Sequence, residues 1–175
     1  MRNSLKSGLM VVLFFICVLF LTSCGNDDDP GIVSIEGTWD YDEFDLEIRI
    51  NNKSDVDFFI QEFGLTAAEA NIASQALKDN FFDNEDFEKT RFIFASNGSY
   101  EIRVDDELDE SGTYEVSADN STLSLISDLE TVVFDIEELS RNRLTIALSE
   151  RFEIDLTDDG VDEDFDLKLI ISFIR

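Results

Sequence analysis

Phe92-Ile93-Phe94-Ala95-Ser96-Asn97-Gly98-Ser99-Tyr100-Glu101-Ile102-Arg103-Val104 decides how the chain is read. Phe92 and Phe94 alternate before Asn97-Gly98. Tyr100, Ile102 and Val104 alternate after it, with Glu101 and Arg103 on the opposite parity. Period two puts successive side chains on opposite faces of a strand, so each run is a strand with one apolar face. Asn-Gly between such runs is the strongest short hairpin signal, because both residues accept positive φ.

The same alternation extends in both directions. Upstream, Trp39 and Tyr41 share one parity, while Phe44, Leu46, Ile48 and Ile50 share the other. A strand cannot change faces without a bulge, so one is expected near Asp42-Glu43. Downstream come Gly112-Thr113-Tyr114-Glu115-Val116, a polar turn at Asp119-Asn120-Ser121, then Leu123 and Leu125, then Val132, Phe134 and Ile136. After a turn at Arg141-Asn142, Leu144, Ile146 and Leu148 keep the parity of Phe152, Ile154 and Leu156. Residues 143–156 are therefore one long strand, or two meeting at Ser149-Glu150. Leu167, Leu169, Ile171 and Phe173 form the last strand. Taken as one strand at 143–156, the count is eight, and short polar connections make neighbours antiparallel. The expected fold class is mainly β: an eight-stranded antiparallel up-and-down barrel, either filled by its own side chains or holding a small ligand.

Residues 55–83 break the pattern. Thr66-Ala67-Ala68-Glu69 fits a capping box. Ile72, Ala73, Ala76, Leu77 and Phe81 fall at helical spacing, as do Val56, Phe59, Ile60 and Phe63 in a shorter helix that Gly64 should stop. The apolar stripe reads as a face packed on the sheet, or as a lid over a barrel mouth.

The chain's 175 residues carry 40 Asp and Glu against 13 Lys and Arg, a net charge of −27, with no His. Without imidazole there is no Ser-His-Asp triad, no Cys-His dyad and no His metal ligand. A strongly acidic chain lacks the basic footprint that nucleic acid requires. Paired carboxylates suffice for glycoside hydrolysis, but with so many acids any two can be paired on paper. No phosphate-binding glycine loop and no Gly-x-Ser-x-Gly elbow is present. The chain is read as non-enzymatic, with no catalytic residue.

Arg2 and Lys6 precede thirteen unbroken apolar residues, Leu9 to Leu21. That run is too short for a helix to span a bilayer and fits a signal peptide over 1–23. Leu21-Thr22-Ser23-Cys24-Gly25 resembles the bacterial lipobox, which implies cleavage before Cys24 and lipidation of its sulfur. The mature chain then has 152 residues, with 40 acids against 11 bases and a charge of −29. Cys17 leaves with the peptide, so no disulfide is expected. Membrane attachment follows from acyl chains rather than a span. Residues 24–34 read as a flexible acidic tether. Its Asp27-Asp28-Asp29 also resembles the surface-export signal of Bacteroidota lipoproteins. The expected location is the outer membrane, surface-exposed, with a periplasm-facing arrangement as the alternative.

The order of features over residues 35–175 resembles the lipocalin-like (calycin-type) lipoproteins of Bacteroidota. It rests on Gly37-Thr38-Trp39 at the first strand, Phe92-x-Phe94 leading into Asn97-Gly98-Ser99-Tyr100, and then Gly112-Thr113-Tyr114. The resemblance implies a barrel domain over 35–175 in which Trp39 closes one end as packing. Members of that family often have no established ligand, and the barrel is read here as binding a small apolar ligand of unknown identity in its interior. The alternative is a structural or interaction module with a solid core.

One further constellation concerns metal. Counting from Asp155, an EF-hand-like spacing places Asp155, Thr157, Asp159, the Val161 carbonyl, Glu163 and Asp166 at positions 1, 3, 5, 7, 9 and 12, with Gly160 at 6. Position 12 is Asp rather than the bidentate Glu, position 8 is the charged Asp162, and both flanks read as strand. The loop is either a Ca²⁺-binding hairpin or an acidic solvated turn.

Overall fold

The computed structural model describes residues 33–175. Nine strands run in chain order: β1 Gly37–Ile50, β2 Lys53–Ser54, β3 Thr90–Phe94, β4 Ser99–Val104, β5 Glu107–Val116, β6 Thr122–Ile126, β7 Thr131–Leu139, β8 Arg143–Ile154 and β9 Glu163–Ile174. Helices α1 (Asp55–Phe63) and α2 (Ala67–Asp79) follow β2. Every pairing is antiparallel, and β1 pairs with both β3 and β9. Eight strands thus close an up-and-down barrel, with the two-residue β2 folded back on the end of β1. The helical insert follows the first strand, as the periodicity indicates.

Closure is uneven. β1 meets β3 only from Gly37 to Asp40, then runs against β9 from Asp40 to Ile50. The change of face in β1 falls at a register shift between Tyr41 and Glu43, where the sequence requires it. It lets Trp39 and then Leu46, Ile48 and Ile50 all reach the interior, where all four are buried. Beyond Asp40, where β1 has left β3, the segment after α2 packs Phe87 against Tyr41 and Phe44, with ring centroids 6.3 and 5.3 Å apart.

The insert's caps follow from its sequence. The Ser54 side chain accepts from Asp57 N and starts α1, and Gly64 stops it in the left-handed region (φ +66°). The Thr66–Glu69 capping box is formed in both directions. Helix α2 ends at Asp79, so residues 80–83 are a turn at Asn80-Phe81 and then irregular chain rather than further helix. The apolar face of α1 is packed: Phe58 is fully buried and Phe59 nearly so. Ser74 of α2 donates to the buried Asp55 carboxylate of α1 at 2.6 Å, tying the two helices together.

Three details differ from the sequence reading. The 95–98 turn is not a two-residue hairpin with both residues at positive φ. Gly98 takes φ +83°, Asn97 does not, and Gly98 N donates to the Ala95 carbonyl. The longer loop is a turn followed by a left-handed residue, with the Asn97 side chain accepting from Ser99 N. Positive φ at two consecutive residues occurs instead at Asn51-Asn52 and Asp105-Asp106. Strand β5 starts at Glu107, five residues before Gly112, because a register shift near Asp109 absorbs the break in alternation. Strand β9 starts at Glu163, earlier than its apolar run. Of the two readings of 143–156 the single strand holds, as β8, ending at Ile154.

Candidate functional site

The up-and-down path puts the β3–β4, β5–β6 and β7–β8 connections at one end, with the start of β1 and the end of β9. That end is plugged. Trp39 is 0% exposed, and its indole Nε1 donates to the Ile35 carbonyl at 2.7 Å. The Arg175 guanidinium lies over its ring, 4.2 Å from the centroid. Phe92 and Phe173 lie ring to ring just inside, at 4.6 Å. Trp39 therefore acts as packing. Burying side chains of this size contributes about 1.5–3 kcal/mol each.

The barrel wall is not uniform further in. Inward residues of β1, β8 and β9, such as Ile48, Leu144, Ile146 and Phe165, are buried. Ile102 on β4, Tyr114 and Val116 on β5, and Phe134 and Ile136 on β7 are only half-buried, whereas Tyr100 of β4 and Leu123 and Leu125 of β6 between them are buried. Phe81, Phe82 and Phe87 after α2 are half-buried too, as is Phe152, which faces Phe81 at 6.0 Å. This half-exposed apolar lining is the candidate site.

One carboxylate enters that wall. Glu110 is the cross-strand partner of the inward Ile102. It accepts a hydrogen bond from the Tyr100 hydroxyl. The Tyr100 ring lies along the inner face of β5: a Cβ on Gly112 would meet Tyr100 Cε1 at 2.9 Å and the Ile126 carbonyl oxygen at 2.1 Å. Gly112 is thus demanded by close approach. Burial first, and then Glu110, push the Tyr100 phenol well above the usual tyrosine range. The sequence reading misses Glu110 because it begins the strand at Gly112; alternation back from Val116, Tyr114 and Gly112 places Glu110 inward, and the register shift at Asp109 turns only Leu108 out.

The acidic constellation sits at the β8–β9 connection. Asp155 accepts from the amides of Asp159 and Gly160, at 3.2 and 2.9 Å, and Asp159 from that of Val161 at 2.9 Å. Glu163, 6% exposed, accepts from Leu156 N at 2.7 Å and from the Thr157 hydroxyl at 3.2 Å. Asp155, Thr157 and Asp159 therefore lie in the β8–β9 connection and Glu163 at the first position of β9, the carboxylates bonded to donors of the connection itself. Val161 is exposed, and Asp166 lies on β9, paired with Arg151. Among the described residues, no group of three acidic side chains is placed to hold a metal ion. Cys24, the lipobox, residues 1–23 and most of the 24–34 tether lie outside the described residues.

A family model described as a lipocalin-like domain matches residues 62–146, from the end of α1 into β8. No curated protein matches the chain. With the closed eight-stranded barrel, that match makes the fold lipocalin-like.

Proposed function

We propose that the protein is a lipid-anchored barrel of the cell envelope that binds a small apolar ligand in its interior and catalyses no reaction. The half-buried apolar lining of β4, β5 and β7 carries this reading. A barrel packed solid would bury inward Phe134, Ile136 and Tyr114 as fully as it buries Ile146 and Phe165, and it does not. Concave apolar sites with few polar groups are what small apolar ligands require. The lipobox supports anchoring through Cys24, and the acidic residues after it support display on the outer-membrane surface.

Native mass spectrometry of the full protein, extracted from its own host, tests the binding reading. An apolar adduct is expected, and it should fall away when Phe134→Trp and Ile136→Phe fill the lining. A bare mass, together with no binding of an apolar fluorescent probe, would overturn it. Anchoring is tested separately: radiolabelled fatty acid should enter the wild type and not Cys24→Ser.

A second reading rests on the calcium-like spacing of Asp155, Thr157, Asp159 and Glu163 around the β8–β9 connection. There the barrel is a surface module stiffened by Ca²⁺ at residues 155–166, once the carboxylates exchange their amide donors for the ion. It requires a Ca²⁺-dependent rise in melting temperature that Asp159→Ala abolishes.

A further inference from the structure

The charges of the barrel are sorted by face. Arg49, Arg91, Arg103, Arg143, Arg151 and Lys168 all alternate with inward apolar residues, so all point outward. Five of them are paired with acids: Arg91 with Asp40 and Asp106, Arg103 with Glu101, Arg143 with Asp42 and Glu43, Arg151 with Asp166, and Lys168 with Glu137. Arg49 donates to the Asn52 carbonyl. Arg175 covers Trp39 and binds the carbonyls of Glu36 and Arg141, at the plugged end. Lys53 and Lys89 are held at the other end by Glu62 and Asp105. Lys78 stands in the last turn of α2, where a cation complements the helix C-terminus.

No strand thus offers a cation to the lining, whereas β5 offers a carboxylate. Among the described residues, Tyr100 is the only hydrogen-bond donor to Glu110. The phenol occupies Oε1, which leaves Oε2 as an acceptor at the edge of the apolar lining. A ligand carboxylate placed there would meet like charge in a half-desolvated setting, with no compensating cation. An ammonium or hydroxyl head would instead make a charge-assisted hydrogen bond.

Resting on the interior-ligand reading above, we propose that the barrel selects an amphiphile whose polar head donates hydrogen bonds, an amine ahead of an alcohol, and rejects fatty-acid anions, with Glu110 as the head-group acceptor. Apolar contact supplies the affinity and Glu110 the choice of head.

Three ligands with one tail, decylamine, 1-decanol and decanoate, separate head from tail. The full protein is placed in phosphatidylcholine vesicles, where Trp39 is the chain's only indole. Energy transfer from Trp39 to bound N-phenyl-1-naphthylamine then reports probe held by the protein rather than by lipid. Decylamine should displace the probe best and decanoate worst, the two differing by about tenfold or more, the scale of one charge-assisted hydrogen bond. Glu110→Gln should remove the preference of amine over alcohol, read as the ratio of the two displacement midpoints within the variant itself. Decanoate displacing as well as decylamine from the wild type would overturn the assignment, and this needs no variant to fold. So would an unchanged order in Glu110→Gln, or decanoate binding that Lys78→Ala removes. Absence of any probe transfer would instead overturn the interior-ligand reading itself.

Discussion

The Arg175 guanidinium sits 4.2 Å from the centroid of the Trp39 ring and also binds the Glu36 carbonyl at 2.7 Å. One side chain at the end of β9 thereby covers the indole at the start of β1 and closes the seam between the first and last strands. Removing it exposes the ring face and leaves the Glu36 and Arg141 carbonyls to water. Arg175→Ala should lower stability by about 1 kcal/mol, and Arg175→Lys should recover little, since an ammonium lacks the planar fork that stacks and donates together. Trp39→Ala removes a fully buried ring and should cost about 3–5 kcal/mol. Denaturant melts of the three variants check this, and equal losses for Arg175→Ala and Trp39→Ala would mean the guanidinium does more than cover the ring.

Two glycines separate close approach from backbone conformation. Gly112 has no positive φ, yet a Cβ there would lie 2.1 Å from the Ile126 carbonyl oxygen. Backbone cannot swing aside, so Gly112→Ala should destabilise by about 3 kcal/mol and part β5 from β6. Gly98 has φ +83° and nothing within 4 Å of its Cβ position. Gly98→Ala should cost only the left-handed penalty, about 1 kcal/mol. Equilibrium unfolding of both variants measures the gap, and the reverse order would contradict the register of β5 against β6.

The insert is tied to itself by one buried polar pair. Asp55, 6% exposed, accepts from Ser74 Oγ at 2.6 Å and from Val56 N at 2.9 Å. Ser74→Ala strands one carboxylate oxygen and should cost about 1–3 kcal/mol, whereas the Ser74→Ala, Asp55→Leu double variant should recover part of that loss. Hydrogen exchange should show the loss first in α1 and α2, with β8 and β9 protected. Uniform loss of protection would mean that the insert and barrel unfold as one unit.

Much of this architecture is legible in the sequence, because alternating side chains report which face of a strand is buried. The face change at Tyr41–Glu43, the helix stop at Gly64 and the Thr66–Glu69 capping box all follow from local rules. What escapes are the places where a local rule is broken by pairing. Glu107-Leu108-Asp109-Glu110-Ser111 carries no apolar alternation, and β4 alone recruits it as strand. Glu110 continues the inward parity of Gly112, Tyr114 and Val116, and the shift at Asp109 then turns Leu108 out, so an acid stands inward and a leucine outward, the reverse of what polarity suggests. At Asp155–Asp166 the spacing counts a single loop, whereas pairing of Glu163 with Ile154 begins β9 inside it and sends Asp166 outward to Arg151. Spacing along a chain cannot register where a ladder begins.

All three tyrosines are held above their ordinary value of 10.0, by burial first in each case, with neighbouring acids adding to it: Glu43 beside Tyr41, Glu110 beside Tyr100 and Glu36 beside Tyr114. A raised pKa in the folded state means that the folded chain binds those protons more tightly than the unfolded chain. Stability from this source is therefore fully present below pH 10 and is lost as pH rises from there toward the folded values. Absorbance at 295 nm should show less tyrosinate in the folded protein at about pH 10 than in the denatured chain at the same pH, then rise together with the loss of circular dichroism. Tyr100→Phe removes the group with the largest rise, so its stability should fall less steeply above pH 10, although it is lower at neutral pH for want of the bond to Glu110. If half the tyrosine absorbance develops near pH 10 while circular dichroism is unchanged, the phenols are in contact with water, and the inner face of β4 and β5 is open where Tyr100 should be enclosed.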